Sequence, residues 1–196
     1  DAGKTWVFSG LSKSRHIPRI VIDSKNSDIV YAAVLGNIYK PSKERGVYKS
    51  VDGGKTWKKV LFVNDQAGAV ELQIDPNNSR ILYASTWNLR RTPYSLNSGG
   101  PGSLLWKSND SGNTWFKISD NPGFAKGILG IIGVTVSPVN SDRVYAIVEN
   151  KEKGGVYRSD NGGDTWKYVN SSRALRQRAW YYSKIYADSK NQDIVY

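Results

Sequence analysis

Five carboxylates stand in the irregular stretches of the sequence: Glu44, Asp65, Asp120, Glu149 and Glu152. Two carboxyl groups held roughly 5–9 Å apart across a glycosidic bond can cleave it, one as acid and the other as base or nucleophile. No neighbouring residue marks any of the five as the buried, neutral acid of such a pair. The same stretches hold His16, Arg19, Tyr39, Lys40, Lys43, Arg45, Trp87, Arg90, Arg91, Tyr94, Arg173, Arg176, Arg178 and Trp180. A guanidinium is a planar fork for carboxylate, sulfate or phosphate, and a Trp or Tyr ring stacks on a sugar or another ring. The set suits an acidic glycan or an acidic peptide, with Arg19, Arg45, Trp87, Arg90, Arg91, Tyr94, Arg176, Arg178 and Trp180 as the binding residues. The competing structural role is internal: Arg side chains bonding loop carbonyls, Trp87 and Trp180 packing between elements. His16 is the only histidine and has no assignable Ser and Asp partners, so it reads as a structural donor.

What must position these residues is a repeat. Ser50 to Trp57, Ser108 to Trp115 and Ser159 to Trp166 follow one pattern, Ser-x-Asp/Asn-x-Gly-x-Thr-Trp, and Asp1 to Trp6 is its tail. The Trp residues stand 51, 58 and 51 apart, the length of one propeller blade. A second phrase runs from an Asp/Ser-Pro/Ser-x-Asn turn to a Tyr five residues on, at Asn26 and Tyr31, Asn78 and Tyr83, Asn140 and Tyr145, Asn191 and Tyr196. Each unit resolves into four short Val-, Ile-, Tyr- and Trp-rich runs, in the second unit Val70 to Asp75, Arg80 to Thr86, Leu104 to Ser108 and Thr114 to Ser119, with no helical periodicity between them. Four antiparallel strands per unit predict an all-β propeller segment: full blades over 16–63, 69–119 and 131–170, partial blades over 1–10 and 179–196. A chain that begins and stops inside a unit reads as an internal piece whose partner includes the remainder of its own propeller. Alone it is expected to aggregate through uncovered sheet faces.

Within each unit the Ser-x-Asp-x-Gly-x-Thr-Trp phrase falls between strands three and four. There Asp1, Asp52, Asp110 and Asn161 cap their own turns, Gly54, Gly112 and Gly163 take positive φ, and Trp6, Trp57, Trp115 and Trp166 pack on a sheet. A turn that recurs in every unit is a staple rather than an active site. Chemistry belongs on the opposite face, in the loops between strands two and three, of which Trp87 to Ser103 is the longest.

The balance of 28 Lys+Arg against 17 Asp+Glu gives a net charge of +11, suited to anionic partners, but no motif for sequence-specific nucleic-acid binding accompanies it. There is no cysteine and hence no disulfide or thiolate metal site. Asp160 to Asp164 offers oxygen ligands without the closing Glu of a calcium loop, so no metal is assigned, and no motif demands a cofactor. No apolar run reaches the roughly 18 residues of a membrane span. Asn77, Asn109 and Asn170 are sequons, of consequence only in a glycosylating host.

The turns resemble the Asp-box (BNR) repeats of sialidases, xyloglucan-cleaving glycosidases and the sortilin propeller. The chain is most similar to exported bacterial proteins of the sortilin-like, "glycosyl hydrolase, BNR repeat" kind, through His16 to Ile20, Glu44 to Lys49, Arg90 to Ser95 with Ser98 to Gly102, and Arg176 to Ser183. That resemblance implies a secreted or cell-envelope location. It leads to a first expectation of a non-catalytic recognition module and to an alternative: a glycoside hydrolase whose carboxylate pair lies partly outside the segment, with Glu44, Asp65, Asp120 and Glu149 as candidates.

Overall fold

The computed structural model describes residues 1–196. Three antiparallel sheets follow one another along the chain. The first has β1 (Arg19–Asp23), β2 (Asn26–Val34), β3 (Gly46–Ser50) and β4 (Lys58–Leu61) in sequential order. The second runs β5 (Ala67–Ile74), β6 (Leu82–Arg91), β8 (Leu104–Ser108) and β9 (Phe116–Lys117), with β7 (Leu96–Ser98) paired to the far end of β6. The third is β10 (Leu129–Val136), β11 (Val144–Asn150), β12 (Gly155–Ser159) and β13 (Lys167–Asn170). A 3-10 turn (Arg173–Arg176) and one helical turn, α1 (Ala179–Tyr182), follow. No helix is long and apolar enough to cross a membrane.

The core lies between sheets, as blade stacking requires. On β2, Tyr31 and Ala33 face Leu72, Leu82 and Ala84 of the second sheet, while Ala32 and Val34 pack on the other face with Tyr48. Tyr83 and Leu105 of the second sheet meet Ile132, Val134, Val144 and Ala146 of the third. Strands covered on both faces read as runs of Ala, Val and Ile rather than as alternation. This is an all-β propeller segment of four-stranded blades.

Two details depart from the expected strands. The Trp87–Ser103 stretch is no irregular loop: β6 continues to Arg91 and folds back through β7, pairing Leu89 with Ser98 and Arg91 with Leu96. In the second unit the fourth strand shrinks to Phe116–Lys117, because Thr114 and Trp115 belong to the preceding turn.

In each turn the Ser is buried and its Oγ accepts the glycine N–H at 2.8 Å, Gly54 to Ser50, Gly112 to Ser108 and Gly163 to Ser159. Asp52 accepts from the Thr56 N–H (2.9 Å) and hydroxyl (2.6 Å), and Asp110 from those of Thr114 (2.8 and 2.6 Å). In the third turn Asn161 Oδ1 takes the Thr165 N–H at 2.9 Å and its Nδ2 donates to the Thr165 hydroxyl. Gly54, at φ +88°, lies where any L side chain is strained.

Those bonds, the Thr hydroxyl first, hold Asp52 and Asp110 at about 2. A carboxyl depressed from its unfolded value near 3.9 stabilises the fold above that value and loses its contribution as pH falls through about 2. Replacing both by Asn, the residue the third turn already uses, is expected to flatten the loss of stability below pH 4 while leaving pH 7 stability close to wild type. Urea midpoints at pH 7 and 2.5 check this; an unchanged acid loss would place the titrating groups elsewhere.

The two sequence phrases meet across blade boundaries. Tyr31 donates to the Ser111 carbonyl in the next blade's turn (2.9 Å), and Tyr83 to Gly162 in the blade after that (3.1 Å). Tyr145 departs from this, donating to the Gln192 carbonyl within the last copy of the second phrase (2.8 Å). Lys49 and Lys107 reach the same Ser111 and Gly162 carbonyls, each at 2.8 Å. Burial pushes the Tyr31 phenol up to about 12 and raises Tyr83 as well, so both remain donors.

Candidate functional site

A cavity of about 770 Å³ opens on the face opposite these turns, between the β6–β7 hairpin, the adjoining ends of β10 and β11, and the segment Arg173–Tyr181. Glu149, near the end of β11, lines it. The Trp87 indole N–H donates to Ser98 Oγ (2.9 Å), Ser98 donates to Glu149 Oε2 (2.5 Å), and the Ile131 N–H donates to the same oxygen (2.9 Å). No protein donor reaches Oε1. Gly130 makes room for this arrangement, since a Cβ there would sit 2.0 Å from Oε2. Asn150 ties the strand end down, donating to the Lys126 and Ile128 carbonyls and accepting from the Glu152 and Lys153 N–H groups.

The far wall is cationic and aromatic. Arg173, Arg176 and Arg178 line it with Trp180 and Tyr181. Trp180 stands edge-on to the buried Trp87, ring centres 4.6 Å apart, with the Arg91 guanidinium 6.0 Å over its ring. Tyr181 and Tyr182 continue the aromatic row at 6.4 and 6.2 Å spacings. An adjoining depression of about 470 Å³ shares Asn150, Lys151, Arg173 and Arg176 and is edged by Glu152 and Tyr168.

Of the residues singled out in the sequence, Glu149, Arg173, Arg176, Arg178 and Trp180 come together in the cavity, with Trp87 and Arg91 behind the wall. The others are dispersed. Arg19 pairs with Glu71 at 3.2 Å. Glu44 takes the Tyr48 hydroxyl (3.3 Å), and Asp120 pairs with Lys117 (2.5 Å). Asp65 borders a separate shallow depression with Lys43 and Lys59. Arg90 is exposed, and Tyr94, 91% exposed, crowns the hairpin tip. His16 bonds the Gly36 carbonyl.

Two expected ligand contacts are corrected. Arg45 is only 1% exposed, its guanidinium donating to the carbonyls of Gln66, Asn37 and Leu89, so it pins loops and meets no ligand. Trp87 is 3% exposed and acts by orienting Ser98. Sequence reasoning missed Ser98 and Gly130, whose roles depend on a carboxylate 51 and 19 residues further on, and Glu71, buried in the middle of β5 with no local signal.

No protein-family model matches the chain. The xyloglucanase Xgh74A of Acetivibrio thermocellus is 30% identical over 179 residues, a match covering 78% of this chain and 20% of that protein. A xyloglucanase of Hypocrea jecorina is 29% identical over 181 residues, with the same coverage on both sides. The chain thus spans about a fifth of the length of these relatives. Among solved structures, the GH74 enzyme of Niastella koreensis superimposes with a TM-score of 0.68 at 21% identity, over 98% of this chain and 30% of that one. YCF48 from Cyanidioschyzon merolae gives 0.52 at 15% identity, over 87% and 45%. What the chain shares with these solved structures is the β-propeller fold, and its sequence is similar to segments of xyloglucanases.

Proposed function

We propose that the chain is part of a glycoside hydrolase acting on a xyloglucan-like polysaccharide, and that Glu149 is the carboxylate it brings to the bond. The observation that carries this is the held carboxylate: Ser98 and Ile131 fix Oε2 while Oε1 is left to the cavity, beside rings on which sugars stack. The similarity to xyloglucanases supports the same reading. Ser98 and the Ile131 N–H orient the carboxyl, and Trp180 and Tyr181 seat the chain of sugars. The second carboxylate required for hydrolysis comes from outside these 196 residues. In this reading each sheet is one blade, with bounds near 16–63, 69–119 and 131–170, and the hydrogen-bonded turns are Asp boxes of the sialidase and sortilin kind. A secreted or cell-envelope location follows from that likeness.

In the natural polypeptide that carries these residues, Glu149→Gln is expected to cut reducing-sugar release from xyloglucan by about 10²–10⁴-fold with the melting temperature unchanged. Gly130→Ala, which drives Glu149 off its two donors at little cost to the backbone, is expected to act in the same direction. Full activity in both variants would remove Glu149 from catalysis. The second reading, a recognition module for an acidic glycan or peptide, is favoured by the three arginines and by the cavity's having a single carboxylate. Glycan binding by the wild-type protein without sugar release would establish it in place of the first.

A further inference from the structure

We infer that the cavity seats a sugar acid: the carboxylate of a uronic acid residue held by Arg173, Arg176 and Arg178 while its ring packs on Trp180. The inference rests on the second reading above, the cavity as a recognition site for an acidic ligand, and it narrows that ligand to a glycan whose charge is a carboxylate. Four cations, Lys151 and the three arginines, line the cavity against one carboxylate. None of them takes part in any of the molecule's ion pairs, which engage Arg19, Lys117, Arg143, Arg158, Lys167 and Lys184 instead. Glu149, the one carboxylate among them, pairs with none of the four, its bonded oxygen being taken by Ser98 and Ile131, and a single negative charge leaves the wall net positive.

Arg176 supplies an independent observation. Its Nη2 makes only a long bond to the Ser171 carbonyl (3.5 Å), and its Nε is buried with no acceptor. Within the protein the guanidinium thus meets no carboxylate and no short acceptor, and a ligand carboxylate accepting from its Nη groups would supply one. Gly154 leaves room for this guanidinium, since a Cβ there would meet Arg176 Nη1 at 2.3 Å. A neutral glycan would need the aromatic rings alone and would leave the cations without a counter-charge. The volume falls within the range of small-ligand sites, enough for a short oligosaccharide.

The test compares an oligogalacturonate with its fully methyl-esterified form, which keeps the sugar rings and removes the charge. In the natural polypeptide, calorimetry is expected to show the acid binding at least 10-fold tighter at 0.15 M salt, with the ratio shrinking as salt rises. Arg176→Ala is expected to erase the difference; the exposed pair R173A/R178A, chosen in case Arg176→Ala fails to fold, is expected to reduce it severalfold. Equal affinity for acid and ester, or a preference that survives both sets of variants, would overturn the inference. So would equally tight binding of polyglutamate or dextran sulfate, since charge alone would then suffice. Sugar release is scored separately. Release from neutral xyloglucan that depends on Glu149 but not on the arginines keeps the hydrolase reading and sinks this one. Acid-selective binding without release does the reverse.

Discussion

Arg45→Ala is expected to lower the free energy of unfolding by about 3–4 kcal/mol, since it removes a buried charged donor to three carbonyls, of which only that of Gln66 keeps another donor, the Leu89 N–H, and leaves a cavity. The guanidinium links Asn37, Gln66 and Leu89, residues from the β2–β3 loop, the approach to β5 and the far end of β6. Burial lowers its pKa, against the opposing pull of Asp65, and the group remains cationic in the fold. Arg45→Lys is expected to recover only part of the loss, because one ammonium on a longer stem cannot span three carbonyls with the geometry of a fork. Urea unfolding should show a lower midpoint at an unchanged m-value. A change below about 1 kcal/mol would mean that water replaces the side chain.

Glu71→Ala is expected to cost about 1.5–3 kcal/mol, the range for losing charge-assisted hydrogen bonds, because the cations it leaves behind, Arg19 and Lys184, are 30% and 39% exposed and can turn to water. Glu71 is 4% exposed, its two oxygens engaging Arg19 Nε at 3.2 Å and Lys184 Nζ at 2.7 Å. A register shift in β5 between Ala69 and Glu71 marks the bulge beside it. Because Lys184 lies two residues past the helical turn that carries Trp180 and Tyr181, the variant should also weaken glycan binding, although residue 71 lies outside the cavity. Glu71→Gln, which keeps the shape and one acceptor, is expected to retain more than half of the stability difference. Loss of stability with binding intact would separate this ion triad from the cavity wall.

The fold was legible because its signal is local and repeated: a Ser, an Asp, a Gly and a Trp at fixed offsets suffice to close a turn wherever they recur. The tyrosines of the second phrase were legible as a pattern but not as a function, since the carbonyls they reach lie 47 to 80 residues ahead. Arg45 and Arg176 look alike in sequence, each a basic residue in a loop. Only packing tells them apart, as one is enclosed on all sides and the other borders a cavity. Glu149 and Glu152 are likewise equivalent on paper, until the strand end places the first against Ser98 and Ile131. The four-residue α1 is too short to carry a period, so the wall built on it left no trace.

The Tyr and Lys contacts between blades also bear on how such a chain can change its length over generations. At both junctions between complete blades the earlier unit supplies the hydroxyl and the later one the turn carbonyl, so the middle unit carries both halves of a standard coupling. Duplicating or deleting one whole unit leaves every junction matched, with no new surface to invent, whereas a break inside a unit orphans a hydroxyl on one side and a carbonyl on the other. Gene rearrangements in this lineage should therefore survive in steps of about fifty residues, with their boundaries falling in the same place in each unit.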